Sequence, residues 1–416
     1  MAANQTYVII GASAAGLSAA CAIVKTEPEA KVTVLSEETD SPYFRPMIPF
    51  IISGEKSPAD VAMTGQGPYQ AKGIDLRLNT RVVSLDTHSN QVKTKSGDTV
   101  LFDRLLIASG SSPYIPRDIE GTGIKGVYAL RTLAQARDAA QRSSSARHAI
   151  LLGGGLLNLK AAFALLEKKV AVTLVVYSPE ILSQLMEPDD AVMIRQALEH
   201  AGLKIMTGRS AKTIVQGPNG VKAVILDNGV DIPCDMVFIG KGVRPCVDFL
   251  KSSDMEIDQG VVVDPYTRTS RENIFAAGDV AVTFDPVTGN RVVTGLWTNA
   301  AEMGLCAGKN MAGDPTAYAG TFGVMNATQV AGLPFVSMGQ VHPGSGDYEV
   351  HRNVSGNAYR KLVFSKEGKH LVGLVMVGDI THAGLYRYIM REQRDIRRVK
   401  EKIIGQTLTS AHLMYG

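Results

Sequence analysis

The feature of this sequence that most restricts its fold is a pattern that occurs twice. Residues 6–38 read TYVIIGASAAGLSAACAIVKTEPEAKVTVLSEE, and residues 148–178 read HAILLGGGLLNLKAAFALLEKKVAVTLVVYS. Each stretch combines a short apolar strand, a glycine turn, an apolar helix and a second apolar strand, which together make one βαβ unit. The duplication predicts an α/β fold with two Rossmann-like, three-layer nucleotide-binding domains.

The segments between and after these units have a different texture. Residues 81–110 and 212–240 alternate apolar and polar side chains around turn residues, as antiparallel strands do. After Pro315, a hairpin-like stretch precedes an amphipathic helix that is predicted over residues 381–403. We therefore expect a first nucleotide-binding domain of residues 1–112 and 251–314, a second of residues 113–250, and a C-terminal α+β domain of residues 315–416.

Charge and hydropathy exclude several classes of protein. The chain has 43 Lys and Arg against 40 Asp and Glu, so its formal net charge is only +3. A nucleic-acid partner requires a basic patch or stripe, and we expect no such partner. The N-terminal residues lack the pattern of a secretory leader, and no apolar run reaches the ~18 residues of a membrane span. These features predict a cytoplasmic protein without a membrane span.

The first glycine turn, GASAAG, is typical of a dinucleotide-binding junction between a strand and a helix. Gly11 and Gly16 take the outer glycine positions, and Ser13 and Ala14 lie between them. Glycines permit the tight turn, and the free N–H groups at the start of the helix favour a pyrophosphate. Glu37 ends the second strand, where a carboxylate accepts both ribose hydroxyls of an adenosine.

A lone G-x-G-x-x-G pattern also occurs in ordinary α/β domains, so agreement from a distant segment matters. The stretch ENIFAAGDVA, residues 272–281, contains an apolar strand that stops at Gly278 and Asp279. An acid at such a strand end, facing the first turn, is placed to bind a second polyol or phosphate-bearing part of the same ligand.

Further motifs are SPYFRPMIPFIISGE, LLIASGSSP, YALRTLAQA, GKGVRP, NIFAAGDVA and GLWTNAAEMGLCAGKNMAG. With GASAAG, they make nearly the whole chain resemble the FAD-dependent pyridine nucleotide–disulfide oxidoreductase superfamily. The resemblance is closest to the branch of NADH:rubredoxin reductases and the flavoprotein part of assimilatory nitrite reductases. It implies FAD binding by Gly11, Ser13, Ala14 and Gly16 at the pyrophosphate, Glu37 and Val83 at the adenosine, Ser109, Gly110 and Arg131 at the diphosphate, Gly278 and Asp279 at the ribityl chain, and Arg45, Pro46, Trp297 and Asn299 at the flavin.

The second glycine turn departs from the family pattern. The resemblance implies a second nucleotide site at Gly153, Gly155, Asn158, Lys160, Tyr177 and Gly242. Asn158 replaces the glycine that packs helix against strand, and Lys160 replaces a glutamate that in relatives lies near the nicotinamide and the flavin. Tyr177 follows a strand end at which NAD users have an acid and NADP users a basic residue. Two hypotheses remain open: a weakened site for NAD(H) or NADP(H), and a site that holds another adenine nucleotide or none.

The cysteines argue against thiol chemistry. Disulfide reductases of this superfamily need a cysteine close to the flavin, and the corresponding segment here, SPYFRPMIPF, has none. Cys21, Cys234, Cys246 and Cys306 show neither C-x-x-C nor metal-ligand spacing. We expect no metal site, no disulfide framework and no cysteine relay.

Two functions follow from these features. The leading hypothesis is an FAD enzyme that transfers electrons between a nicotinamide nucleotide and a small ferredoxin- or rubredoxin-like protein. The alternative is an electron-relay flavoprotein subunit whose second nucleotide fold is a scaffold. The basic residues within 381–403 fit either a solvated helix face or a dock for an acidic carrier. A homodimer and a subunit of a complex are both open.

Overall fold

The computed structural model describes residues 5–63, 69–344 and 346–414. The first unit has the predicted strand–helix–strand order and continues with short strands. Its elements are β1 (Thr6–Ile10), α1 (Ala14–Thr26), β2 (Lys31–Leu35), α2 (Pro49–Ser53), β3 (Ile74–Arg77), β4 (Val82–Asp86), β5 (Gln91–Thr94), β6 (Thr99–Leu101), β7 (Arg104–Ile107) and β8 (Ser111–Pro113). Strands β7, β1, β2 and β3 form a parallel sheet in that order, and β4, β5 and β6 form an antiparallel add-on. Strands covered on both faces are nearly continuous apolar runs, as β1 is.

The second unit repeats this plan. Its elements are β9 (Val127–Tyr128), α3 (Leu133–Ser143), β10 (His148–Leu152), α4 (Leu156–Glu167), β11 (Ala171–Val176), α5 (Val192–His200), β12 (Lys204–Thr207), β13 (Ala211–Gly217), β14 (Gly220–Leu226), β15 (Asp231–Pro233), β16 (Met236–Ile239) and β17 (Val243–Pro245). The parallel sheet has the order β12-β11-β10-β16-β9, and β13, β14 and β15 form the antiparallel add-on. The duplicated βαβ unit is thus confirmed, including the strand end at Val176.

The chain then returns to the first unit. Its next elements are β18 (Ile257–Asp258), β19 (Gly260–Val262), β20 (Ile274–Ala276), β21 (Ala281–Phe284), β22 (Arg291–Val292) and α6 (Trp297–Met311). Strand β20 joins the first sheet beside β7, and β8 pairs with β17 at the crossover between the two units. Helix α6 packs closely on α1, because a Cβ at Gly304 would lie only 2.1 Å from the carbonyl oxygen of Ala15.

The C-terminal unit is an antiparallel sheet with short helices. Its elements are β23 (Met325–Val330), β24 (Leu333–Gly339), β25 (Tyr348–Ser355), β26 (Ala358–Ser365), β27 (Leu371–Val377), α7 (Ala383–Arg391), α8 (Lys400–Ile404) and α9 (Ala411–Met414). The sheet order is β23-β24-β27-β26-β25, and the predicted hairpin is β26 with β27.

The prediction of a single helix over residues 381–403 is wrong. Helix α7 stops at Arg391, Gln393 adopts a left-handed conformation with φ 45°, and α8 starts only at Lys400. Ile396 and Val399, which supplied the helical spacing, are buried in the C-terminal core from the turn between the helices. Both side chains are therefore core residues, as their apolar character predicts, but the backbone that carries them is not helical.

One hydrophobic core joins all three units. Ile48 and Ile52, from the segment after β2, pack in the same cluster as Leu159 of α4 and Phe335 of β24. This segment is therefore held between the second unit and the C-terminal sheet. In the described part of the chain, no helix has both the length and the apolar character needed to cross a membrane.

Candidate functional site

The first glycine turn (Gly11–Gly16) joins β1 to α1. Gly11 has φ 111°, and a Cβ there would lie 2.1 Å from the carbonyl oxygen of Ala108. A Cβ on Gly16 would lie 1.9 Å from the carbonyl oxygen of Gly11, so both glycines are sterically required. Ser13 occupies the N-cap position of α1, and its side chain makes no capping hydrogen bond. The N–H groups of the first turn of α1 are therefore available to a ligand.

Asp279 lies beside this turn and is held by two neighbours. The Ser111 hydroxyl donates to its Oδ2 at 2.7 Å, and the Arg131 guanidinium donates to the same oxygen at 3.2 Å. Gly278, with φ 82°, brings the strand end against α1, because a Cβ there would lie 3.1 Å from the Cβ of Ala15. Sequence reasoning assigned Arg131 to the diphosphate and Asp279 to the ribityl chain, and it missed Ser111, the first residue of SSP in the motif LLIASGSSP.

Arg45 organises a second polar cluster. Its guanidinium donates to Glu38 Oε1 at 2.7 Å, to the Tyr43 hydroxyl at 3.0 Å and to the backbone oxygen of Arg131 at 2.8 Å. Tyr43 in turn donates to Glu38 Oε2 at 2.6 Å, and burial raises the pKa of its hydroxyl, so the proton is retained. Glu38 and Tyr43 were missed by the sequence analysis. The cluster ties the segment after β2 to the second unit.

An aromatic pair borders this cluster. The rings of Phe44 and Trp297 have centroids 5.6 Å apart and an interplanar angle of 44°. Phe44 is 43% exposed and the adjacent Pro46 is exposed as well. Asn299, two residues into α6, is instead buried and donates to the Thr321 hydroxyl, which links α6 to the C-terminal unit. The structure thus brings Arg45, Pro46 and Trp297 to one edge.

The remaining residues expected for the first nucleotide lie at the ends of strands. Glu37 is exposed after β2, with Oε2 3.7 Å from Nε of Arg81, and Val83 of β4 is 44% exposed. Ser109 donates to the backbone oxygen of Cys246 at 2.9 Å, and Gly110 adopts φ 69°. Glu37 and Ser109 follow strands of the first sheet at its carboxyl edge, and Val83 lies near the start of β4 in the antiparallel add-on.

The second glycine turn (Gly153–Asn158) has the same geometry as the first at its start. Gly153 has φ 108°, and a Cβ there would lie 2.3 Å from the carbonyl oxygen of Gly240. Gly155 is the N-cap of α4, with open space where a Cβ would project, so the N–H groups of α4 are available as well.

Asn158 does not disrupt this turn, although it replaces the glycine that packs helix against strand in the family pattern. Its side chain is 2% exposed and its amide donates to the backbone oxygens of Leu152 at 3.0 Å and Gly153 at 2.8 Å. Gly240 provides the space, because a Cβ there would lie 2.4 Å from Oδ1 of Asn158. The Asn158 side chain lies behind the turn, in the interior.

Two lysines flank the second turn. Lys160 on α4 is half-buried, and burial lowers the pKa of its ammonium group. Lys241 follows β16, and its Cγ lies 3.6 Å from the position that a Cβ on Gly153 would take. Neither lysine has a carboxylate within ion-pair distance in the described residues. Tyr177 is 74% exposed after β11, and Gly242 adopts φ 98°. Lys241 belongs to GKGVRP and was missed as a site residue.

The cysteines are free and scattered. Burial raises the pKa of Cys234 to about 12 and raises the pKa of Cys246 and of Cys306 above the usual thiol value. Cys21 is half-buried on α1. A protonated, buried thiol is a poor nucleophile.

Two stacked Rossmann-like units, each with an open glycine turn at a helix N-terminus, define a class of enzyme that binds two nucleotides. The family model for pyridine nucleotide-disulphide oxidoreductases matches residues 5–304. The chain belongs to this family, and it is an FAD-dependent NAD(P)H oxidoreductase.

Similar proteins include enzymes and a subunit of a complex. The NADH-dependent phenylglyoxylate dehydrogenase subunit epsilon of Aromatoleum evansii is 29% identical over 408 residues, which are 97% of this chain and 96% of the relative. The rubredoxin-NAD(+) reductase of Pseudomonas putida is 28% identical over 314 residues, which are 75% of this chain and 81% of the relative. Among solved structures, a NAD-dependent persulfide reductase from A. fulgidus has a TM-score of 0.88 at 24% identity, covering 95% of this chain and 78% of that one.

Proposed function

We propose that this protein transfers electrons from a nicotinamide nucleotide to a small ferredoxin- or rubredoxin-like protein without a cysteine relay. The observation that carries the proposal is the aromatic pair beside the Arg45 cluster: exposed Phe44, from a segment without any thiol, contacts half-buried Trp297. An aromatic patch at the edge of the cofactor site suits a transient protein carrier, because aromatic side chains contribute strongly to small interfaces.

The chain's residues fit FAD. Gly11 and Gly16 allow the tight turn before α1, because a Cβ on either would collide with a backbone oxygen, and the N–H groups of the first helical turn lack a capping side chain. We assign the pyrophosphate to this turn, the ribose to Glu37, and the ribityl chain to Asp279, whose Oδ2 is already oriented by Ser111. Bound FAD would supply the ability to accept a hydride and release single electrons.

The other assigned positions follow from the same geometry. Arg45, held by Glu38, orients the segment that would cover the flavin, and Trp297, which contacts Phe44 of that segment, would border the flavin as well. We assign residues 1–112 and 251–314 to FAD, residues 113–250 to the nicotinamide nucleotide, and residues 315–416 to dimerisation or partner docking. The antiparallel C-terminal sheet supports the last assignment because it packs on the segment after β2.

A second candidate function is an electron-relay subunit within a larger enzyme. The subunit role is favoured by the relative from Aromatoleum evansii, which is named as a subunit of an NADH-dependent dehydrogenase and matches along nearly its whole length. In that case the second glycine turn holds a different adenine nucleotide or none, and electrons reach the flavin from a partner protein.

An anaerobic titration separates the two candidates. The FAD-loaded protein is mixed with NADH or NADPH, and the flavin absorbance is followed. Bleaching near stoichiometric nucleotide supports the nicotinamide-dependent enzyme. If dithionite reduces the flavin but a large excess of either nucleotide leaves it oxidised, the relay subunit is favoured.

The acceptor is tested with a matched pair of variants. Phe44→Ala should weaken the apparent affinity for a rubredoxin or [2Fe–2S] ferredoxin by about fivefold, the equivalent of ~1 kcal/mol, with ferricyanide reduction unchanged. Leu101→Ala removes an apolar side chain that is 63% exposed on β6 and should change neither rate. Equal loss with both acceptors in Phe44→Ala would place the defect in the flavin site instead.

A further inference from the structure

We infer that the second glycine turn selects NADPH over NADH, with Arg209 and Lys241 recognising the 2′-phosphate. The inference rests on the proposed function, because it assumes that this turn binds a nicotinamide nucleotide. It adds the specificity and the two residues responsible.

The first step is the chemistry of the strand end. In this type of fold an acid at the end of the second strand binds the ribose hydroxyls of NAD, and the same acid repels a 2′-phosphate. Strand β11 ends with buried Val176, followed by exposed Tyr177 and then Ser178. The next acid, Glu180, accepts three hydrogen bonds from the Arg195 guanidinium. The position that would discriminate against a phosphate is therefore apolar.

The second step is a basic loop beside this strand end. The N–H of Arg209 donates to the backbone oxygen of Val176 at 3.1 Å, and the N–H of Gly208 donates to that of Ser178 at 3.3 Å. The loop after β12 thus runs alongside the residues that would face the ribose. Arg209 is exposed, and among the residues that the structure describes its guanidinium donates only to its neighbour's backbone oxygen, Gly208 O, at 3.2 Å. Its remaining donors are available to a phosphate.

The third step is the course of Lys241. Its alkyl chain starts at the end of β16, passes Gly153, and brings Nζ to 3.4 Å from the Ser210 hydroxyl. It therefore crosses the carboxyl edge of the sheet, where nucleotides bind in such folds. Two carboxylates lie near the Lys241 ammonium. The negative charge of Asp118 raises the pKa of Lys241 without forming an ion pair with it, and Asp227 accepts a hydrogen bond from the N–H of Ser210 at 3.3 Å. Neither one neutralises Lys241 directly.

These three features converge on one spot. With the pyrophosphate on the N–H groups of α4, the adenosine ribose extends toward the end of β11. Ser178 and Ser210 offer hydroxyls there, and Arg209 and Lys241 bring two positive charges. A nucleotide with a 2′-phosphate would supply a direct counter-charge to Arg209 and Lys241, neither of which forms an ion pair with a carboxylate of the described residues.

Calorimetric titration of the FAD-loaded protein with NADP+ and NAD+ tests the inference. We expect NADP+ to bind at least about tenfold more tightly. Arg209→Ala and Lys241→Met should each weaken NADP+ binding by about tenfold and leave NAD+ binding almost unchanged. Lys204→Ala is the matched control, since it removes an exposed cation at the opposite end of β12.

The failures are distinguishable. Equal affinity for both nucleotides, or equal weakening of both by Arg209→Ala, overturns the specificity and leaves the proposed function in place. Absence of binding by either nucleotide, with FAD retained, overturns the specificity together with the nicotinamide-dependent function.

Discussion

The side chain of Asn158 occupies the space that the missing Cβ of Gly240 leaves open. The two residues come from α4 and from the end of β16, and each explains the other: the asparagine fits because residue 240 is glycine. Asn158 also donates two hydrogen bonds to the strand and turn beneath it. The departure from the dinucleotide fingerprint is therefore compensated within the interior, away from the ligand side of the turn.

Gly240→Ala should destabilise the protein by about 1–3 kcal/mol, because the new methyl group would lie 2.4 Å from Oδ1 of Asn158. Asn158 cannot turn aside without losing its bonds to the backbone. Adding Asn158→Gly to this variant should recover part of the loss, and urea unfolding of the single and double variants measures the coupling. Strictly additive effects would show that the two side chains do not compete for the same space.

The Lys361 ammonium connects the C-terminal sheet to the second unit. It is fully buried, pairs with buried Asp190, and also contacts Glu187 Oε2 at 2.9 Å and the backbone oxygen of Val341 at 2.8 Å. Lys361→Met should cost about 3–5 kcal/mol in unfolding free energy, because Asp190 would remain charged and buried. Denaturant unfolding monitored by circular dichroism measures this loss.

The matched control for Lys361 is the double variant Lys361→Met with Asp190→Asn. It removes both charges and keeps the shape of the site, so it should be more stable than Lys361→Met alone. Equal instability of the two variants would mean that packing, and not the unpaired carboxylate, explains the loss.

Much of the fold was readable because it depends on local sequence. Apolar runs predicted β1, β10 and β11. Gly16 is required by its contact with Gly11 in the same βαβ unit, whereas Gly11 and Gly153 are required by Ala108 and Gly240, which follow β7 and β16. The prediction of a single C-terminal helix was wrong because Ile396 can be buried without a helix, and because no glycine or proline follows Arg391 to indicate the helix end.

The candidate site was only partly readable for a different reason. Asp279, Trp297, Ser111 and Lys241 all belong to recognisable motifs. The contacts of Ser111 with Asp279 and of Lys241 with Ser210, however, join segments that are distant in the sequence. Asn158 departs from a recognisable motif, yet the structure accommodates it because residue 240, distant in the sequence, is glycine. Sequence patterns identify the motif positions of a candidate site more readily than the side chains that hold those positions.

Replacement of all four cysteines by serine or alanine should leave electron transfer to an artificial acceptor at the parental rate. The raised pKa of Cys234, Cys246 and Cys306 keeps these thiols protonated at neutral pH, and none belongs to residues 41–50. Steady-state reduction of ferricyanide, with bound FAD quantified by absorbance, provides the measurement. Loss of turnover in a variant that keeps its FAD would reveal a redox thiol.

Binding of NADP+ should depend on pH through Lys241. Burial lowers the pKa of this ammonium below the usual 10.5, with Asp118 acting in the opposite direction, while a bound 2′-phosphate favours the charged form and raises the pKa. Between these two pKa values, binding takes up a proton, and the affinity falls as the pH rises through the lower value, because free Lys241 is then neutral. Titrations in buffers of different ionisation enthalpy measure the uptake.

Lys241→Arg should keep its affinity across this range, since a guanidinium remains charged, and Lys241→Met should show no uptake. Uptake that persists in Lys241→Met would assign the titration to the other half-buried amine, Lys160, and place the phosphate nearer to α4 than to the loop after β12.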